Sequence, residues 1–137
     1  MPILNAGQIQ AFLLQEFPQS SVTVESLADK GARVRQAIDQ THLRPGGTVS
    51  GPVLMAVADV AMYVALLAEI GIVPLAVTTN LNINFLRKPA ADADILADCH
   101  LLKVGKTLAV GEVTLYSEGQ EEAVAHVVTT YAIPPKK

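Results

Sequence analysis

Charged residues are scarce in this 137-residue chain: Asp, Glu, Lys and Arg make up 17% of it, where about 25% is ordinary for soluble domains. Hydrophobic residues make up 50%, so the composition is not that of a disordered protein. The formal net charge of −3 argues against a broad nucleic-acid-binding surface. The shortage of charge also favours apolar surface that is buried between subunits.

Cysteine is nearly absent, which excludes a disulfide framework and a multi-thiolate metal site. The single Cys99 is expected to be a buried thiol. No basic residue precedes Lys30, so the cationic start of a secretory signal is missing. We therefore expect a cytoplasmic protein that folds as one domain over residues 1–137. We expect no metal, because the histidines lie in separate predicted elements without metal-ligand spacing: His42, His100 and His126.

The pattern of apolar residues predicts two helices and six strands, an α+β protein. Tight turns join most neighbouring strands, so we expect one curved antiparallel sheet. The second helix is apolar nearly all round, and a helix without a polar face must be enclosed. We therefore predict a sheet of about six strands wrapped around one long central helix. The predicted elements are a helix over 5–16, strands over 22–24 and 33–38, a loop over 41–51, the long helix over 52–70, and strands over 77–85, 95–104, 107–116 and 123–133.

The long helix carries a carboxylate at its centre. Asp59 interrupts the apolar run and argues against a membrane span. Burial of a carboxylate without hydrogen bonds costs several kcal/mol. Asp59 is therefore either a structural acceptor of hydrogen bonds or a general base or nucleophile that faces a cleft. The residues alone leave both interpretations open.

The start of the same helix has the features of an oxyanion site. A helix N-terminus exposes backbone N–H groups, and Gly51 has no side chain to keep a carbonyl away. Ser50 is alternatively a plain N-cap. Gly51 and Asp59 are eight residues apart, about 12 Å along one helix axis, whereas reacting groups meet within about 3–3.5 Å. A catalytic site therefore requires two antiparallel copies at a twofold interface.

Other polar residues give weaker signals. Thr78 and Thr79 are placed to hold a water near a carboxylate, but Thr is also an ordinary strand residue. Four basic residues lie at strand ends and turns, where they form either a solvated rim or a binding place for ligand phosphates. These are Arg87, Lys88, Lys103 and Lys106.

Three segments resemble the hotdog-fold acyl-CoA thioesterases, in particular the phenylacetyl-CoA thioesterase-like branch of the 4-hydroxybenzoyl-CoA thioesterase superfamily. They are Gly-x-x-x-Ser-Gly-Pro over 46–52, the helix centre Ala58-Asp59, and Asn-Ile-Asn-Phe-Leu-Arg-Lys-Pro over 82–89. The resemblance covers roughly 41–133. It implies the hotdog fold, an acyl-CoA substrate, and a homodimer with active sites at its interface, often paired into a tetramer. It implies no metal and no cofactor other than the CoA of the substrate.

The resemblance also implies roles for individual residues. Asp59 resembles the acid that activates water or attacks the thioester, Gly51 the backbone donor to the carbonyl, and Thr78 the water-orienting hydroxyl. Ser50 stands where the family usually has His, and Arg44 where it often has Asn; Ser50 is expected to help position the carbonyl or water. The residues expected to bind the substrate or its CoA part are Arg44, Thr79, Asn80, Arg87, Lys88, Lys103 and Lys106.

The main hypothesis is a homo-oligomeric acyl-CoA thioesterase. The alternative is an acyl-CoA binding module without turnover, which the missing family His and Asn favour. A dehydratase is disfavoured because such enzymes pair a His with the acid, and no spacing ties His42 to Asp59. A purely structural oligomer is the remaining interpretation. Aromatic residues make up only 4% of the chain, so both aliphatic and aromatic acyl groups are compatible with the composition.

Overall fold

A computed structural model describes residues 2–135 of the chain. Both predicted helices and all six predicted strands are present, with boundaries that differ by a few residues. The helices are α1 (Ala6–Glu16) and α2 (Gly51–Ile70). The strands are β1 (Thr23–Ala28), β2 (Gly31–Gln36), β3 (Leu43–Arg44), β4 (Thr48–Val49), β5 (Val77–Phe85), β6 (Ile95–Val104), β7 (Leu108–Ser117) and β8 (Ala125–Ala132).

Six of these strands form one curved antiparallel sheet in the order β1-β2-β6-β7-β8-β5. The long helix α2 packs mainly against β2, β6 and β7. Side chains alternate in and out along the inner strands, as the burial pattern of β7 illustrates. This is the hotdog fold, so the predicted fold class is confirmed. The strand β5 lies at one edge of the sheet, next to β8 alone.

The helix α2 is the core of the molecule, as its apolar composition predicts. It is long and apolar enough to cross a membrane by length and composition, but 67% of its most apolar 18-residue window is buried inside the structure. The sheet approaches it closely at Gly111, where an added Cβ would lie 2.6 Å from Sδ of Met62. A side chain at Gly111 would therefore require the buried Met62 side chain or the strand β7 to shift.

The stretch 41–51, expected to be a loop, is partly regular. A single 3-10 turn over Gln40–His42 is followed by the short β3–β4 hairpin. The side chain of Asp39 caps the turn by accepting a hydrogen bond from the backbone N–H of Thr41 (2.8 Å). Gly46 and Gly47 have φ of 101° and 78°, a conformation that glycine adopts readily and that closes the hairpin. The expectation of a loop overlooked that the Pro-Gly-Gly stretch is the hairpin turn itself.

Two other boundaries differ because cross-strand partners decide where a strand ends. The return strand of the first hairpin begins at Gly31 rather than residue 33, since Gly31 pairs with Ala28 on one side and His100 on the other. The last strand ends at Ala132, which pairs with both Val77 and Leu108. Sequence alternation alone does not contain this information.

Candidate active site

The carboxylate of Asp59 is hydrogen-bonded by two hydroxyl groups. Thr78 Oγ1 and Tyr131 Oη both donate to Oδ1 of Asp59, the latter at 2.9 Å. Tyr131 Oη is also 3.1 Å from the backbone oxygen of Asp59. Asp59 itself is half-buried at the centre of α2, whose only other charged residue is Glu69 near the C-terminal end. The desolvation of the carboxylate is therefore offset by direct hydrogen bonds.

Sequence reasoning had identified Thr78 but missed Tyr131. The two residues are cross-strand partners, since Thr78 of β5 pairs with Tyr131 of β8. Tyr131 is 3% exposed, and burial, followed by the charge of Asp59, raises the pKa of its hydroxyl. The hydroxyl therefore remains protonated and keeps its role as a donor. A single inward-facing Tyr on a strand gives no signal of this role until the pairing with β5 is known.

Asp59 lies in the wall of a cavity of about 500 Å³ between α1, α2 and the start of β5. The chain has six aromatic residues, and four of them line this cavity: Phe12, Phe17, Tyr63 and Tyr131. The ring of Phe12 lies 6.2 Å from that of Tyr63, which stacks on Tyr131 at 6.1 Å. A row of rings thus leads from the N-terminal helix to the carboxylate. The few aromatic residues are concentrated at one place.

A second cavity of about 280 Å³ adjoins the first, and the two share Phe17, Gln19 and Asp59. His42 lines this second cavity, although no sequence spacing connected it with Asp59. Its Nδ1 accepts a hydrogen bond from the backbone N–H of Asp39 (2.9 Å). Because Nδ1 is an acceptor, the ring proton of the neutral imidazole is on Nε2. The structure therefore places a histidine near the acid, without a hydrogen bond between them among residues 2–135.

The start of α2 lines a different cavity, of about 410 Å³, together with the ring of Phe85. A Cβ at Gly51 would lie 3.1 Å from this ring, so the position has little room for a side chain. Ser50 is the N-cap residue by backbone conformation, but its side chain makes no capping hydrogen bond. Among the described residues none accepts a hydrogen bond from the N–H of Gly51. That N–H is a free donor at the positive end of a helix.

The basic residues expected to bind CoA fall into two groups. Arg44, Arg87 and Lys88 line the cavity at Gly51. Lys103 and Lys106 lie at the turn between β6 and β7, which is at the opposite end of the sheet from Arg87. Within one chain, the structure does not bring the two groups together.

Thr79 and Asn80 also lie apart from the acid. Both are exposed and interrupt the regular register of β5 with β8. Thr79 Oγ1 donates to the backbone oxygen of Thr130 (3.2 Å), and the backbone oxygen of Asn80 accepts from Thr129 Oγ1 (2.9 Å). Neither residue lines the cavities at Asp59 or Gly51. Their expected contact with substrate remains a prediction.

The surface around Asp59 is apolar and open. Pro52, Met55 and Ala56 are exposed on the same face of α2 as Asp59, and Met55 is 39% exposed. The edge strand β5 adds Val77 and Phe85, exposed at 54% and 55%. We call the helix face formed by Pro52, Met55, Ala56 and Asp59 the open stripe of α2.

Two other kinds of reactive group, a metal ion and a cysteine thiol, are not expected at the site. Among residues 2–135, no three His, Cys, Asp or Glu side chains are grouped as a metal ion would require. Cys99 is buried at 5% exposure, and burial raises the pKa of its thiol to about 12. The thiol is therefore not a nucleophile at neutral pH.

Comparisons with known proteins agree on one family. The model of the thioesterase superfamily matches residues 46–124. A solved structure from a Silicibacter species, provisionally described as a thioesterase, is 44% identical, with a TM-score of 0.91 over 98% of this chain and 95% of that one. A mutant of the phenylacetic acid degradation protein PaaI from Thermus thermophilus is 25% identical, with a TM-score of 0.73 over 90% and 99% of the two chains.

A more distant structure shares the fold. Zebrafish thioesterase superfamily member 2 is 22% identical, with a TM-score of 0.83 over 96% of this chain and 99% of that one. A search of curated proteins found no match.

Proposed function

The chain belongs to the thioesterase superfamily, and on that premise we propose that it hydrolyses acyl-CoA thioesters to a carboxylic acid and coenzyme A. Family membership supports thioester hydrolysis in general; the acyl-CoA substrate and the residue roles are the proposal. The observation that carries it is the carboxylate of Asp59, held by two hydroxyls in the wall of an aromatic cavity. A carboxylate placed in this way beside a cavity is suited to general-base or nucleophilic chemistry.

In the general-base form, the carboxylate of Asp59 takes a proton from water while the water oxygen adds to the thioester carbonyl carbon. The tetrahedral intermediate then collapses, the C–S bond breaks, and CoA leaves as the thiolate. In the nucleophilic form, the carboxylate adds to the same carbon, CoA leaves, and water hydrolyses the resulting anhydride. Both forms develop negative charge on the carbonyl oxygen, which a backbone N–H at a helix start stabilises.

That N–H is assigned to Gly51 of a second copy. Within one chain, Gly51 and Asp59 line different cavities and are separated by about 12 Å of helix. The open stripe of α2 and the exposed apolar residues of β5 support burial against another subunit. An antiparallel pair of α2 helices would bring the free N–H of one chain to the carboxylate of the other.

The two cavities support a division of the substrate. The aromatic cavity beside Asp59 is suited to the acyl group. The cavity at Gly51 carries Arg44, Arg87 and Lys88, which are suited to the phosphates of CoA. In the proposed dimer each active site takes the acid from one chain and the N–H and basic residues from the other.

The test is a panel of acyl-CoA esters read by release of free thiol. The buried Cys99 keeps the protein's own contribution to that signal low. Asp59→Asn is expected to lower kcat/KM about 10²–10⁴-fold, the usual range for loss of a general base. Glu69→Gln is the matched control, because Glu69 is the other acid of α2 and its Oε1 accepts from the backbone N–H of Lys30 (2.6 Å), a bond that Gln can keep. Wild-type turnover retained by a folded Asp59→Asn variant would remove the mechanism.

The second candidate is an acyl-CoA binding module without turnover. Ser50 and Arg44 in place of the family His and Asn favour it. Calorimetry that detects acyl-CoA binding, together with thiol release at background, would support this function over catalysis. Cytoplasmic location, the absence of a cofactor and a dimer or tetramer in solution stay predictions.

A further inference from the structure

We infer that Tyr131 is a positioning residue of the proposed active site: with Thr78 it binds one oxygen of Asp59, so that the other oxygen, Oδ2, is the one that reacts. This inference rests on the proposed function and goes beyond it, because it assigns different roles to the two oxygens of one carboxylate. Tyr131 lies outside residues 46–124, the part of the chain that matches the family model.

Both hydroxyl donors meet at the same atom. Thr78 Oγ1 and Tyr131 Oη donate to Oδ1 of Asp59, and none of the residues over 2–135 donates a hydrogen bond to Oδ2. A carboxylate oxygen with two hydrogen bonds carries less available charge than its neighbour. Oδ2 is therefore the stronger base and the better nucleophile of the two.

Tyr131 also fixes the direction of the side chain. Its hydroxyl lies 2.9 Å from Oδ1 and 3.1 Å from the backbone oxygen of Asp59. One group thus contacts both the carboxylate and the peptide of the same residue, which restricts rotation of the side chain between them. Restricted rotation keeps Oδ2 aimed in one direction before the substrate arrives, and such preorganisation lowers the barrier to reaction.

The position of Tyr131 is itself well determined. Its ring is 3% exposed and stacks on Tyr63 with centroids 6.1 Å apart. Its backbone is paired with that of Thr78, so both donors come from one cross-strand pair of the sheet. The sheet, rather than a loop, therefore sets the geometry of the carboxylate.

The experiment compares Tyr131→Phe with wild type over the acyl-CoA panel. Loss of a hydrogen bond to a charged group is expected to lower kcat about 10- to 100-fold and to leave KM within about threefold, because the ring that lines the cavity is retained. A loss of kcat without a matching change in KM is the result that distinguishes positioning of the reacting oxygen from a merely structural role.

Tyr116→Phe is the matched control. Tyr116 lies on β7 between the buried Leu115 and Ser117, so it faces away from α2. This variant is expected to keep the wild-type kcat and KM. A melting temperature lowered without a selective loss of kcat would show that Tyr131 has only a structural role.

A second variant covers the case in which Tyr131→Phe does not fold. Thr78→Val removes the other donor to Oδ1 and is expected to lower kcat in the same way, with KM little changed. The double variant is expected to lose less than the product of the two single losses, because both donors act on one atom. An inactive wild type would overturn the proposed function together with this inference. An active wild type whose Tyr131→Phe and Thr78→Val variants keep its kcat would overturn this inference alone.

Discussion

The two halves of α2 have nearly the same composition and opposite surroundings. Towards its C-terminus the helix is enclosed by its own chain, and every residue from Val60 to Ala68 is buried. Towards its N-terminus the open stripe of α2 leaves Met55 39% exposed and Asp59 half-buried. An apolar sequence that one chain covers only in part points to a second chain as the missing cover. The half that its own chain encloses is thus separate from the half to which we assign the chemistry.

The largest effect is expected from mixing two inactive variants. Asp59→Asn removes the acid, and Gly51→Pro removes the N–H, since Pro has no backbone donor. Gly51→Ala keeps the N–H and shows how much of the loss comes from contact of the added Cβ with Phe85. If each site takes one group from each chain, half of the dimers in an equal mixture are mixed, and one of their two sites is intact. The mixture is then expected to recover about a quarter of wild-type thiol release.

The control for this experiment is each variant mixed with itself, which is expected to stay at background. Background activity in the mixture, with mixed dimers confirmed by mass spectrometry, would show that acid and N–H do not act across an interface. The exposure of the open stripe of α2 would then need an explanation other than a catalytic dimer interface.

The buried half is expected to carry the stability. Leu66 is 0% exposed, so Leu66→Ala should lower the free energy of unfolding by about 2–5 kcal/mol. Met55→Ala removes a side chain that its own chain covers only in part, and is expected to cost clearly less. Denaturant unfolding of both variants at low protein concentration measures the difference. Equal losses would contradict the contrast between the two halves.

The exposed N-terminal half of α2 is expected to form the dimer interface. Met55→Asp places a charge in the open stripe, and a buried unpaired charge is costly, so the dimer should weaken by at least about tenfold. Leu102→Asp is the control, because Leu102 is 53% exposed on β6, away from the stripe. Sedimentation over a concentration series distinguishes the two, and dissociation by Leu102→Asp alone would place the dimer interface elsewhere.

The smallest change in the free energy of unfolding is expected at Ser50, the residue before α2. The side chain of Ser50 makes no capping hydrogen bond, so Ser50→Ala should change the free energy of unfolding by less than about 0.5 kcal/mol. The side chain of Asn5 does cap α1 through the N–H of Gln8 (2.8 Å), and Asn5→Ala should cost about 1 kcal/mol. Thermal unfolding of both variants provides the measurement. A loss at Ser50 equal to that at Asn5 would mean that its side chain serves the helix rather than the site.

Much of this arrangement was predictable because it depends on local pattern. The apolar run of α2 required a central helix, and alternation over 77–85 required a strand. The charge of Asp59 in that run marked the candidate acid. The second donor, Tyr131, was not predictable, because its contact with Asp59 depends on the pairing of β8 with β5. The approach of His42 to the second cavity was missed for the same reason.

The basic residues also show what sequence analysis does not predict. Their positions at strand ends were correctly inferred, but the sequence alone does not show which strand ends lie at the same end of the sheet. The antiparallel pairing of β5, β8, β7 and β6 puts Arg87 and Lys103 at opposite ends of the sheet.

The amino-acid sequence by itself determined that one helix must be buried, that six strands must cover it, and that a single acid lies at its centre. These properties follow from the spacing of apolar and charged side chains along the chain, which is local information. The tertiary structure decided which oxygen of Asp59 is bound, which rings line its cavity, and which half of α2 stays open. These properties depend on strand register and sheet order, where contacts join residues that are far apart in the sequence.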